Sequence, residues 1–392
     1  MSQSIAERYL TLGLQLGRHV DGIVDAYFGP PELAAAVESE PPVEPRALVA
    51  AAEELLDGLE DGWLRDQVAG LRTYAGVLAG DSGSYADEVQ GCYGVRPTHT
   101  DEAVFAAAHE RLEELLPGEG ELAQRLQEWE ESIRVPPEQV ERTMAAVIEE
   151  ARSRTRALVE LPDGEGVDLE IVRDEPWIAF CEYLGGLRSR IYVNVDLPLS
   201  AFELLVVAMH ETYPGHHAER CVKDRLLVQG QRLLEESIVM VPTPQSLVME
   251  GIAKLAPSLL LESEGGTALA AIVDGVAGEF DLDRALAIVQ AREPLEWAEV
   301  NAALVLHEEG AGEAEVRAYL ERWSLVTPQL AGHLIRFFTE PTSRSYVVTY
   351  PAGLDLCRSY VAGSPTPFRR LLTEQVRVRD LLEARDADAL QP

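Results

Sequence analysis

Along the first 160 positions apolar residues return at alternating spacings of three and four, which places them on one face of a helix. This spacing predicts helices over 3–24, 45–58, 63–79, 101–116 and 136–160, separated at Gly29-Pro30-Pro31, Glu40-Pro41-Pro42 and Val135-Pro136-Pro137. The period changes between 166 and 195. Val167-Asp168-Leu169-Glu170-Ile171-Val172 and Ser189-Arg190-Ile191-Tyr192-Val193-Asn194-Val195 alternate as half-buried strands do, and Gly185-Gly186 suits a turn. A small antiparallel sheet is expected there. Ser200 then stands as an N-cap candidate for an apolar helix from Phe202 to Met209 that runs into His210. Helical spacing resumes afterwards, with breaks at Pro242–Pro244, Gly265-Gly266, Gly310–Gly312, Glu340-Pro341 and Gly363–Pro367.

The expected fold class is mainly α (α+β), with one short sheet just before the helix that ends in histidines. The change of pattern divides the chain into an N-terminal helical region, 1–161, and a second region, 162–392, within one continuous globular unit.

Composition narrows the function. A hydrophobic content of 46% supports a sizeable core. The formal charge of −34 opposes phosphate backbones and anionic membranes, so neither nucleic acid nor a membrane is expected as a partner. No basic stretch leads into an apolar run at the start, and no apolar run is long enough for a bilayer; a cytoplasmic location is the expectation. Cys92, Cys181, Cys221 and Cys357 lie far apart without metal-knuckle spacing, and they are expected to be reduced and buried.

The chemistry concentrates in one segment. His210-Glu211-Thr212-Tyr213-Pro214-Gly215-His216-His217 holds three of the eight histidines, beside a glutamate and at the end of an apolar run. A zinc hydrolase needs neutral imidazoles, usually a carboxylate ligand, an open position for water, and a second carboxylate to take that water's proton. The usual helical motif has histidines four residues apart, but position 214 is proline. On an ideal helix His216 lies about 240° round from His210, and His217 lies about 10.5 Å further along. A regular helix therefore cannot bring either to the same ion. Pro214 removes an N–H and crowds the carbonyl of His210, while Gly215 tolerates unusual dihedrals. Together they are expected to bulge the helix and deliver His216 as second ligand, with His217 as the alternative.

His-Glu-x-x-Pro-Gly-His followed by Met249-Glu250-Gly251-Ile252-Ala253 resembles the domain-of-unknown-function 885 family, which is similar to gluzincin zinc metallopeptidases. The resemblance implies a zincin-like fold, Zn2+ on His210, His216 and Glu250, and Glu211 as general base. It extends to Tyr350-Pro351-Ala352-Gly353 with Arg358 just after it, and to Arg8-Tyr9-Leu10 and Tyr27-Phe28-Gly29-Pro30. Glu219 stands where glutamine is common in that family, and Ile252 where tryptophan is common.

Read on their own chemistry, Tyr350 is a candidate donor to an oxyanion, and Arg358 a candidate two-pronged clamp for a substrate carboxylate. Glu203 and Glu219 are candidates for orienting the imidazoles. His109-Glu110 and His307-Glu308 repeat the dipeptide without a partner histidine and read as solvated helix residues. The strand at 189–195 is expected to be an edge able to pair with an extended peptide. The function these readings support is hydrolysis of peptide or amide bonds in short substrates. The alternatives are action on a non-peptide small molecule, or metal binding without catalysis.

Overall fold

A computed structural model describes residues 3–81, 83–175, 177–362 and 364–388. The chain is mainly helical, with two small sheets. The expected helices form at Ile5–Gly17, Pro45–Asp57, Trp63–Leu78, Glu102–Leu115 and Pro137–Leu158. Four of these five helix starts follow local chemistry: Ser4 and Glu7 close a capping box, the Asp101 side chain accepts from the Ala103 N–H, and Pro45 and Pro137 occupy first helical positions where no N–H is needed.

The first expected helix is too long. It stops at Gly17, and Gly22 turns the chain at φ +77° into a short strand, β1 (Val24–Tyr27). Ile23 and Val24 continue the helical spacing by coincidence, because two residues are too few to show a change of period. Helices at Pro31–Ser39, Tyr85–Tyr93 and Leu122–Ser132 were not expected from the spacing. Of the expected breaks, Gly363 lies outside the described residues, as do Met1 and Ser2.

The region 166–194 forms β2 (Gly166–Val172), β3 (Ala179–Gly185) and β4 (Arg188–Asn194). Gly186 and Leu187, at φ +60° and +66°, make the turn between β3 and β4, one residue on from the expected Gly185-Gly186. The expected antiparallel sheet is corrected in two respects. It is mixed, with β2 parallel to β4 and β3 antiparallel to it, in the order β2-β4-β3. The strand at 189–195 is thus central, and both of its hydrogen-bonding edges are taken. The reason is pairing outside the hairpin, which alternation within one strand does not report. β1 pairs with β5 (Ile238–Met240) in the second sheet.

Packing produces two large apolar clusters. One joins Tyr9, Leu71 and Tyr93 of the first region to Leu247, Leu354 and Phe368, drawing on both sides of position 161. The other gathers Met144, Ile191 and Val193 with Phe202, Leu205 and Met209. The helix Pro244–Leu261 belongs to both: Leu247 and Ile252 face the first, Leu260 and Leu261 the second. The histidine helix, in the second cluster, therefore meets the Glu250 helix where the two cores adjoin. No helix among the described residues is long and apolar enough to cross a membrane.

Candidate metal centre

The helix Ala201–Glu211 begins as expected. Ser200 accepts from the backbone of Glu203, and the Glu203 carboxylate returns a bond to the Ser200 N–H. Glu203 is thus a capping residue, not a partner of an imidazole. Phe202, Leu204, Leu205 and Met209 are buried, each worth about 1.5–3 kcal/mol. That anchorage fixes the far end of the helix, where His210 and Glu211 sit.

The chain does not bulge there within one continuous helix. The first helix ends at Glu211 and a second runs from His216 to Lys223, across a break that contains a cis Tyr213–Pro214 peptide. The Gly215 N–H donates to the Met209 carbonyl at 3.1 Å, and that of Ala218 to Thr212 at 3.0 Å. A Cβ on Gly215 would lie 1.9 Å from the His210 carbonyl oxygen and 2.5 Å from that of Met209. Only glycine permits this approach. The angular argument against His216 lapses because the intervening residues are no longer helical.

The break folds His216 back onto His210. Their rings stand 4.7 Å apart, nearly perpendicular. Glu250, five per cent exposed, completes the group: Oε2 lies 3.5 Å from His210 Nε2, and Oε1 lies 3.4 Å from His216 Nε2. One ligand atom from each residue falls within 4.8 Å of the others. Zinc bonds of about 2.0–2.2 Å at tetrahedral angles set ligand atoms roughly 3.3–3.6 Å apart. The donor set therefore fits such an ion, and Glu250 Oε2, buried without a hydrogen-bond partner, is an unsatisfied acceptor that a cation would satisfy.

The electrostatics of His210 and Glu250 agree with this spacing, whereas at His216 burial is outweighed by the Glu250 carboxylate, which raises the imidazole. Burial, with the neighbouring His216, pushes His210 down to about 3 and keeps it neutral and able to bind. Burial opposes the charge on Glu250, but His216, His210 and the Tyr346 hydroxyl outweigh it and hold the carboxyl down at about 2. Burial raises Glu211 to about 7, with Glu250 adding to the rise and His216 and Arg220 opposing it. Among the described residues the Glu211 carboxylate makes no hydrogen bond or ion pair.

Glu250 is positioned by a close helix pair. A Cβ on Gly251 would meet the Gly353 carbonyl oxygen at 2.3 Å, and one on Gly353 would meet that of Leu247 at 2.5 Å. This contact sets the helix Pro244–Leu261 directly on Thr349–Val361. It explains why glycine follows Glu250 and why glycine closes the Tyr350-x-x-Gly353 element. Just ahead of the second helix, Tyr346 donates its hydroxyl to Glu250 Oε1 at 2.7 Å. Sequence reasoning missed Tyr346. The available signal was its four-residue spacing from Tyr350, whose ring lies edge-on to it at 5.6 Å. Burial pushes the Tyr350 hydroxyl well up, and Glu250 and Glu211 add to the rise. That hydroxyl has no hydrogen bond among the described residues.

The remaining candidates lie elsewhere. His217 turns away from the group: Nδ1 is 2.7 Å from the Ser189 hydroxyl and Nε2 is 3.2 Å from Glu165. Tyr213 also donates to Glu165, and Arg152 Nε donates to it at 2.8 Å. Burial would raise Glu165, but His217, Tyr213 and Arg152 hold it down at about 2. Arg358 is exposed and gives both guanidinium arms to Glu293, at 2.5 and 2.6 Å, which leaves no free fork for a substrate carboxylate. Glu219 pairs with Lys223 at 2.6 Å and orients no imidazole. His109 and His307 are not simply solvated. Each is half-buried and holds a backbone carbonyl, of Trp323 at 3.1 Å and of Phe338 at 2.8 Å. All four cysteines are free and buried, and burial pushes the Cys221 thiol far up, away from reactivity.

No protein-family model and no curated protein matches the chain. Among the solved structures that share its fold are two with a TM-score above 0.5. One is a protein of Colwellia psychrerythraea that bears the name "putative lipoprotein", 13% identical, with a TM-score of 0.56 over 87% of this chain and 66% of its own. The other is a "putative lipoprotein of unknown function" of Shewanella oneidensis, 11% identical, with a TM-score of 0.52 over 98% of this chain and 73% of its own. This chain thus spans just under two thirds of the first and nearly three quarters of the second.

Proposed function

We propose that the chain is a zinc-dependent hydrolase, of gluzincin-like metallopeptidase type, that cleaves peptide or amide bonds in short substrates. The observation that carries this reading is the meeting of His210, His216 and Glu250 at ligand spacing with an unpaired Glu211 beside them. A purely structural ion would be enclosed by four ligands and would have no use for such a base.

His210, His216 and Glu250 would hold the metal, and Tyr346 would fix the Glu250 carboxylate. Zinc, when bound, acidifies water and polarises a carbonyl. Glu211 accepts the proton of the attacking water and delivers it to the leaving amine, a task suited to a carboxyl held near neutrality by burial. The unpartnered Tyr350 hydroxyl donates to the oxygen that gains charge. Glu211, His216 and Glu250 are each no more than a tenth exposed, so only a slender chain or a small amide reaches them. The central place of β4 removes it as a docking edge for that chain.

The test is a pair of measurements on protein made without a histidine tag. Metal analysis is expected to give about one zinc per chain, and Glu211→Gln is expected to keep the zinc and lose turnover on short peptides. A chain that binds no zinc, or a variant that keeps both zinc and turnover, overturns the reading. Faster turnover of matched esters than of peptides would move the assignment to the non-peptide alternative.

A further inference from the structure

A groove of about 1060 Å³ lies apart from the candidate metal centre, and none of its lining residues belongs to that centre. It runs between the end of the helix Pro137–Leu158, the π-type turn Asp224–Gln231 and the helix Pro365–Thr373. Three arginines line it: Arg156, Arg225 and Arg369. Most arginines of this acid-rich chain are bound to carboxylates; Arg225 and Arg369 are not, and Arg156 has one long contact only. Arg225 reaches only the Gln229 side chain, at 3.4 Å, and Arg369 only the Leu158 carbonyl, at 2.8 Å. Arg156 approaches one carboxylate, Glu165, no closer than 3.9 Å, and Arg152 already bonds that oxygen.

Guanidinium groups gathered with no close carboxylate partner in a chain of charge −34 run against the overall field, and each retains open N–H donors. Glu160 and Asp163 also line the groove, leaving its formal lining charge at +1 (three arginines against two carboxylates). Its floor is apolar, with Leu161, Leu187 and Val222. The volume suits a small organic molecule.

We propose that this groove binds an organic anion, a carboxylate or phosphate carried on an apolar body. Two or more of the three arginines take the charged head by forked hydrogen bonds, and the leucines and valine take the body. The site does not depend on the zinc reading.

Calorimetry on the full chain tests this with phenyl phosphate, benzoate, inorganic phosphate and phenol as probes. At least one of the two aromatic anions is expected to bind, and the tighter identifies the head group. Phenol is expected not to bind, and inorganic phosphate to bind at least tenfold more weakly than phenyl phosphate. Arg225→Gln is expected to weaken binding severalfold, and Arg225→Gln with Arg369→Gln at least tenfold. His216→Ala is expected to leave binding intact, which separates this groove from the metal centre. The proposal is overturned if neither aromatic anion binds at millimolar concentration, if phenol binds as well as they do, or if inorganic phosphate matches phenyl phosphate. Unchanged affinity in the double variant, or loss of binding in His216→Ala alone, overturns it equally.

Discussion

His216 and His217 are consecutive, equally buried to within a few per cent, and differently employed. Around His217 every polar atom has a partner: Ser189 on one ring nitrogen, Glu165 on the other, and Tyr213 and Arg152 closing round the carboxylate. Around His216 the account is left open. Its Nδ1 has no partner, its Nε2 stands 3.4 Å from a carboxylate whose other oxygen is also unpartnered, and a second imidazole faces it. Buried polar groups are normally satisfied, so a deficit beside a satisfied twin points to something that arrives from outside. A filled network rigidifies; an unfilled one binds. The pair separates the residue that holds the break in place from the residue the break presents.

The contrast can be broken by substitution, and the largest effect is expected on the open side. His216→Ala or Glu250→Ala should take zinc content from about one per chain to near zero, since a three-residue site cannot lose a ligand and hold the ion well; His217→Ala should keep the zinc. Metal content after dialysis reads both, and loss of zinc only in His217→Ala would reverse the assignment. Glu211→Gln should lower turnover by about 10²–10⁴-fold at unchanged zinc content, the range for a general acid–base residue.

Next come effects on folding. Gly215→Ala should abolish zinc binding and destabilise the chain by several kcal/mol, because its Cβ would overlap the His210 carbonyl oxygen. His217→Ala should cost about 1.5–3 kcal/mol in denaturant unfolding, as it strips the buried Glu165 of a hydrogen-bond partner. A variant as stable as the parent would show that the satisfied network holds nothing.

The smallest and most discriminating test is pH. Glu165 sits below its ordinary value, at about 2, so its stabilisation is present above about pH 4.5 and is lost as pH falls toward 2. Glu211 sits above its ordinary value, at about 7, so in the metal-free chain the folded state is favoured below about 4.5 and loses stability as pH rises through 7. Each shift corresponds to about 3 kcal/mol at most. Glu165→Gln should therefore flatten the acid side of the stability profile, and Glu211→Gln the fall between about pH 4.5 and 7. Matching slopes in the two variants would remove the distinction between the carboxylates.

Much of this was legible beforehand. Helical spacing located the helices that carry Leu48, Leu71 and Met144, and Ser200 marked the start of the histidine helix. The break at Pro214-Gly215 could be anticipated because proline and glycine act locally, through a missing N–H and a missing Cβ. Its form could not be, since a bulge and a full stop require the same residues. Glu165, Tyr346 and Ser189 were invisible for another reason: each is 28 to 130 residues from the histidine it serves, directly or through Glu250, and nothing in its own neighbourhood marks it. Arg358 failed in the opposite way. Its position beside the Tyr350 element suggested a clamp, but Glu293, 65 residues earlier, occupies it.

From the sequence alone came the periodicity, the caps, the breakers and the clustering of three histidines, because these depend on neighbours within a few residues. Tertiary structure decided which histidine faces the carboxylate, which strand is central, and which glutamates are free or held. Those outcomes depend on desolvation and on partners from distant segments, and neither exists until the two cores close around the site.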